Sequence, residues 1–128
     1  MNKSVLVTGG SSGIGRATVI RLAKEGYKVI TCGRSINKLQ ELKDELLLDG
    51  YEIITVEADL SSEASIIDLF KIIRKKFKSL NVLINAAAVG HKAPISSSPS
   101  NLWNEMLSVN IIALCICDIL GFFLVSAI

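Results

Sequence analysis

The residues best suited to chemistry stand close to the start of the chain: Thr8-Gly9-Gly10-Ser11-Ser12-Gly13-Ile14-Gly15. Glycine lets a backbone turn tightly and approach a ligand with no Cβ in the way. The stretch from Ile14 to Glu25 carries helical spacing at Ile14, Ala17, Thr18, Arg21 and Leu22, so the glycines open a helix. A helix N-terminus offers unpaired N–H groups and partial positive charge, which suit a pyrophosphate. A plain turn is the competing reading, and the strand-to-helix position of the glycines weighs against it. Asn110 is a second candidate. Trp103, Met106, Ala113 and Cys117 define an apolar stripe at helical spacing, and Asn110 falls on it. An amide buried without partners costs about 1–3 kcal/mol, so either backbone or a functional group must satisfy it. His91 is a lone loop histidine with no assigned role, and no cysteine or histidine spacing suggests a metal site.

The elements that position these residues follow from an alternation of apolar runs and helical periods. Val5 to Thr8, Lys28 to Cys32, Ile53 to Val56 and Val82 to Ile84 read as four short strands. Ile14 to Glu25, Ile36 to Leu48 and Glu63 to Phe77 read as the helices between them, with Gly26 and Gly50 as stops and Ser61 or Ser62 as a cap. Near-uniform apolar strands have both faces covered by helices, which makes the sheet parallel and the fold a doubly wound α/β one. A loop with Pro94 and Pro99 leads to a last helix starting near Ser98 or Ser100.

With 128 residues, 50% of them apolar and 20% charged, the chain is one globular domain, and a net charge of +2 gives no argument for nucleic acid. The run Arg74-Lys75-Lys76-Phe77-Lys78 reads as a solvated helix C-terminus. Cys32, Cys115 and Cys117 read as buried small hydrophobes in a reducing compartment. Met1-Asn2-Lys3-Ser4 runs straight into a strand with no signal-peptide pattern, so the expected location is cytoplasmic. Asp118 is the one charge between Met106 and Ile128. It falls mid-way in an apolar stretch otherwise long enough to span a membrane, and argues for a core helix instead.

Thr8-Gly-x-x-x-Gly13-x-Gly15, with Asp59-Leu60 after the third strand, Asn85-Ala86-Ala87 after the fourth and Asn110 in the last helix, resembles the short-chain dehydrogenase/reductase family. The resemblance runs from about Lys3 to Cys117, and residues 118–128 read as an apolar tail unlike the family. Cys32-Gly33-Arg34-Ser35 and the Trp103–Cys117 segment look most like NADPH-using carbonyl or alcohol reductases, such as the dehydrogenase/reductase member 11-like group that includes insect farnesol dehydrogenases. The resemblance implies a Rossmann-type sheet in order 3-2-1-4, ending after strand four and its helix, with strand four an open edge. It implies a cofactor site of Thr8, Gly9, Ser11, Ser12, Gly13, Ile14, Gly15, Arg34, Ser35, Asp59, Leu60, Asn85, Ala86 and Ala87.

Arg34 lies 19 residues past Gly15, where the second strand ends beside the adenosine ribose. A carboxylate there accepts from a 2′-hydroxyl, whereas a cation and a hydroxyl suit a 2′-phosphate, so NADP(H) is expected ahead of NAD(H). Ser11 and Lys38 are further candidates for the same phosphate. Asp59 has a competing reading as a helix-initiating residue, and Ala88 stands where the family usually has glycine. By the same resemblance Asn110 is a supporting catalytic residue that holds a proton-relay water.

The family's hydride-transfer chemistry needs a Ser and a Tyr-x-x-x-Lys. Here Tyr27 and Tyr51 are followed four residues on by Thr31 and Thr55. The expectation is therefore an NADP(H)-dependent oxidoreductase of a carbonyl or alcohol, present as a cofactor-binding portion that is inactive alone. A non-catalytic nucleotide-binding or subunit-pairing module and a membrane-anchored fragment are the alternatives, with self-association through the last helix as an expected partner contact.

Overall fold

A computed structural model describes residues 3–89, 95–97 and 99–125. The chain runs β1 (Ser4–Thr8), α1 (Gly13–Lys24), β2 (Lys28–Gly33), α2 (Ile36–Leu48), β3 (Ile54–Glu57), α3 (Glu63–Lys76) and β4 (Val82–Asn85). A 3-10 turn at Ile95–Ser97, α4 (Ser100–Leu107), a π-helical turn at Ser108–Ile112 and α5 (Ala113–Val125) follow. The alternative helix start at Ser98, the loop around Pro94, His91 and the last three residues of the tail lie outside the described residues.

The four strands form one parallel sheet in the order β3-β2-β1-β4. Right-handed crossovers explain where the helices lie. The first two move the chain in one direction, and α1 and α2 cover one face, where Val19, Ala23, Leu42 and Leu46 pack on Val5, Val7 and Val29. The third returns across the sheet, so α3 and α5 cover the other face, with Ile66, Leu69, Phe70, Ile73, Ala113 and Cys117 against Leu6, Ile30 and Cys32. All five residues of β1 are buried, as a strand covered on both sides must be. Strands β3 and β4 are the half-buried edges.

The helix ends follow local chemistry. Ser35 and Ser62 cap α2 and α3, accepting from the N–H groups of Lys38 and Ser65 at 3.3 Å each. Arg74, Lys75 and Lys76 close α3 at the negative end of its dipole, as read from the basic run.

The last helix departs from expectation in its register. A π turn takes i→i+5 hydrogen bonds and holds one more residue than an α turn, so the faces before and after it do not align as a regular period assumes. Val109, Ala113, Cys117 and Gly121 are the buried positions, whereas Trp103 is 45% exposed. Trp103 therefore does not belong to the apolar stripe. At Gly121 a Cβ would come within 2.9 Å of the Leu83 side chain, so this glycine lets α5 lie close against β4. Helix α5 runs without a break across the 117/118 boundary drawn from the resemblance.

Cysteine burial is also not uniform. Cys32 and Cys117 face the core, and burial pushes their thiols up to about 12 and about 11. Cys115, two residues from Cys117 and so on the far side of α5, is exposed rather than buried. Alkylation of the native protein is expected to label Cys115 alone, and all three thiols in denaturant. Mass spectrometry of the adducts reads this directly, and rapid native labelling of Cys32 would contradict the packing.

Candidate functional site

The direction of chain travel reverses between β1 and β4, so the loops leaving their C-terminal ends diverge and leave a crevice, as open α/β sheets do at such a point. A cleft of about 590 Å³ opens there. Among the residues expected at a cofactor site, Gly9, Ser11, Ser12, Gly13, Ile14, Arg34, Ser35, Leu60, Ala86 and Ala87 line it, as do Lys38 and Ala88.

The glycines of the turn do different work. Gly9 has φ +74°, and a Cβ on it would meet Ala87 Cα at 2.6 Å. On Gly10 a Cβ would meet Thr31 Oγ1 at 2.0 Å, and on Gly15 it would meet the Gly9 carbonyl oxygen at 2.1 Å. These three serve close packing within the protein. Gly13 has φ +58° and nothing within 4 Å of a Cβ position, so its bare face looks onto open space in the cleft. Beside it, α1 begins with no side-chain cap, unlike α2 and α3. Ile14 stands 83% exposed at the same mouth, an apolar side chain on a cleft wall with no protein cover.

Thr8, Gly15, Asp59, Asn85 and Asn110 are not among the lining residues. Thr8 is buried, and its hydroxyl accepts from the N–H groups of Ala86 at 3.2 Å and Ala87 at 3.3 Å. It ties the exits of β1 and β4 together and so fixes the width of the crevice. Asp59 lies three residues ahead of Ser62, the cap of α3, and its carboxylate accepts from the Ser61 hydroxyl at 2.6 Å and the Ser61 N–H at 3.0 Å. Those two bonds, with the nearby Arg34 guanidinium adding to them, hold its carboxyl below the usual carboxylate range. Asn85 donates from Nδ2 to Asp118 Oδ1 at 2.7 Å, which joins β4 to α5.

Asn110 sits inside the π turn, half-buried, and is fully engaged with the loop after β4. Its Oδ1 accepts from Val89 N–H and its Nδ2 donates to the Val89 carbonyl, both at 2.8 Å. The stripe residue is thus satisfied by backbone, and it pins Val89 to the cleft wall.

Arg34 reaches from the end of β2 to α4. Its Nη1 lies 3.0 Å from Oε1 of Glu105 on α4. Ser11 stands over Gly33, where a Cβ would meet Ser11 Oγ at 3.1 Å, so the absent side chain of Gly33 makes room for the serine beside Arg34. Ser35 caps α2 with its oxygen and keeps its hydroxyl proton available to donate. Sequence reasoning missed Gly33, Ala58, Val89 and Val109 as lining residues. Val109 had a usable signal, being the apolar neighbour of Asn110. Glu105 had none, because its partner is 71 residues away. Among the described residues no cluster of His, Cys, Asp or Glu could hold a metal ion.

Comparison with known proteins agrees with this geometry. The short chain dehydrogenase family profile matches residues 3–119. Dehydrogenase/reductase SDR family member 11 of Bos taurus is 35% identical over 118 residues, covering 91% of this chain and 46% of the relative. A mutant short-chain dehydrogenase/reductase of Serratia marcescens superposes with a TM-score of 0.90 at 25% identity, covering 96% of this chain and 51% of that one. A short chain dehydrogenase of Burkholderia cenocepacia in complex with NADP superposes at 0.89 and 25% identity, covering 96% and 51%. The chain spans about half the length of the relatives it matches. With a parallel β3-β2-β1-β4 sheet, a glycine turn at its switch point and a profile match across nearly its whole length, the chain belongs to the short-chain dehydrogenase/reductase family of oxidoreductases.

Proposed function

We propose that this chain binds NADP(H) as the nucleotide-binding half of an oxidoreductase acting on a carbonyl or alcohol substrate. The observation that carries the reading is Gly13: a left-handed residue with open space where a side chain would stand, next to the uncapped start of α1, in the cleft at the switch point of the sheet. A pyrophosphate fits that position by charge and by room. Leu60 and Val109 offer apolar walls for an adenine, and Arg34 with Ser11 and Ser35 offers donors for a 2′-phosphate. The nicotinamide would supply the hydride. What these residues do is hold the nucleotide and keep its phosphates on fixed donors. The solved relative with NADP supports the same cofactor class. A cytoplasmic location is part of the proposal.

The test is nucleotide titration of residues 1–128. Replacing Arg34 with Ala is expected to weaken NADPH binding by about 1.5–3 kcal/mol, the range for hydrogen bonds to charged groups, and to leave NADH nearly unchanged. Equal losses for both nucleotides would overturn the 2′-phosphate assignment.

A second reading concerns the last helix. The helical stretch Ser100–Gly121 has 22 residues and is long and apolar enough to cross a membrane by length and composition. Yet its Val109, Ala113, Cys117 and Gly121 pack inward, and its exposed face carries Leu107, Ile111, Leu114 and Ile119. We favour self-association through that face over a membrane span. Sedimentation should then show concentration-dependent dimers, and Ile111→Glu with Ile119→Glu should return them to monomer. Retention of the chain in carbonate-washed membranes would favour the span instead.

A further inference from the structure

The Arg34–Glu105 ion pair is a long-range polar contact that joins α4 to the residue after β2, at the cleft. Arg34 follows the end of β2, and Glu105 lies four residues before Val109, which lines the cleft as Arg34 does. Both ends are accessible, with side-chain exposures of 56% and 29%. Helix α4 has no buried residue, so little apolar packing resists its displacement. Among the described residues that line the cleft, the charged ones are Arg34 and Lys38, and the Glu105 carboxylate meets Arg34 from α4.

On the reading of this cleft as an adenine-nucleotide site, that pairing has a consequence for selectivity. We propose that Glu105 is a specificity-setting residue whose carboxylate occupies the Arg34 guanidinium in competition with a ligand's 2′-phosphate, and so lowers the cleft's preference for 2′-phosphorylated nucleotides. A phosphate monoester carries about −1.5 to −2 charge near neutral pH and three acceptor oxygens, so it displaces a single carboxylate from an arginine. It must still break the existing pair and then sit beside the released carboxylate. A ribose 2′-hydroxyl has no charge with which to compete, and a nucleotide lacking the phosphate leaves the ion pair intact. Glu105 therefore acts against one class of ligand and is neutral to the other.

The test uses 2′,5′-ADP and 5′-AMP, which differ only in the 2′-phosphate, titrated onto the full 128-residue chain and followed by NMR shifts. Glu105→Gln keeps the size and removes the charge. It is expected to tighten 2′,5′-ADP about two- to fivefold, the range of exposed ion pairs, and to leave 5′-AMP unchanged. Glu105→Ala should do the same, and in the Arg34→Ala background Glu105→Gln should have no effect on the 2′-phosphate preference. Unchanged or weaker 2′,5′-ADP binding in Glu105→Gln, or equal gains for both probes, overturns the inference while leaving the nucleotide site standing. Failure of both probes to bind any version, wild type included, overturns the nucleotide reading itself and the inference with it.

Discussion

Residues 1–128 alone are expected to consume no NADPH above the buffer rate when offered aldehydes, diketones or steroid ketones, even where the nucleotide binds. Carbonyl reduction needs a proton donor beside the product oxygen and a surface that holds hydride donor and acceptor in line. The two tyrosines, Tyr27 and Tyr51, pack with the cluster under α1 and α2. Tyr27 immediately precedes β2, at the end of the sheet opposite the cleft, so it has no access to a ligand there. Asn110 carries no proton to give near neutral pH, and both ends of its amide are bonded to Val89. Loss of a general acid forfeits about 10²–10⁴-fold, and loss of near-attack positioning as much as ~7–11 kcal/mol. A steady-state assay at saturating NADPH decides the matter. Saturable turnover that disappears in Gly13→Trp would show that this half of the fold is catalytically sufficient.

The second large effect separates two glycines of one turn. In Gly9→Val the new Cβ lies 2.6 Å from Ala87 Cα and 2.8 Å from Ala87 N, both backbone atoms, on a residue with φ +74°. Ala87 has little freedom to yield because its N–H is held by Thr8. Overpacking of about 1–3 kcal/mol adds to a left-handed cost of about 1–2 kcal/mol, giving a loss of about 2–5 kcal/mol, a large share of a small domain's stability. Gly13→Ala meets no protein atom within 4 Å and should cost about 1–2 kcal/mol from backbone conformation alone. Its methyl group stands in the cleft, so nucleotide affinity is expected to fall sharply in a protein that still folds. Urea denaturation paired with nucleotide titration reads both. A Gly9→Val protein as stable as Gly13→Ala would refute the division of labour between packing and ligand room.

What was legible in the chain follows from how far apart the interacting residues lie. The strands and helices themselves are carried by local signals, namely apolar runs of four to six residues, helical spacing and serine or glycine at several boundaries, whereas the strand order comes from the family resemblance. The glycine turn was legible for the same reason, although the open side of Gly13 and the packed sides of Gly9, Gly10 and Gly15 look alike as letters. Nothing local shows that the Thr8 hydroxyl faces Ala86 and Ala87, 78 and 79 residues on. The bond between Asn110 and Val89 and the pair Arg34–Glu105 are also long-range, and a periodicity argument has no access to them. The exposed Trp103 was misplaced because a regular 3.6-residue period was carried through a turn that is not α-helical.

That turn at Ser108–Ile112 also sets a phase. Each residue advances an α-helix by about 100°, and a wide turn that accommodates one extra residue shifts by one the sequence positions that share a face across α4 and α5. Helix α5 is keyed to the sheet by Asn85–Asp118 and by the close approach of Gly121 to Leu83, while α4 is keyed to the cleft rim through Glu105. Deleting one residue from the turn would let it close as an ordinary α turn, with Trp103 to Leu107 and α5 keeping nearly the faces they have now. Glu105 would keep its place beside Arg34, while the residues of the turn itself, Asn110 among them, would change position. For this helix, the wide turn is where a one-residue difference in chain length is absorbed without disturbing either end.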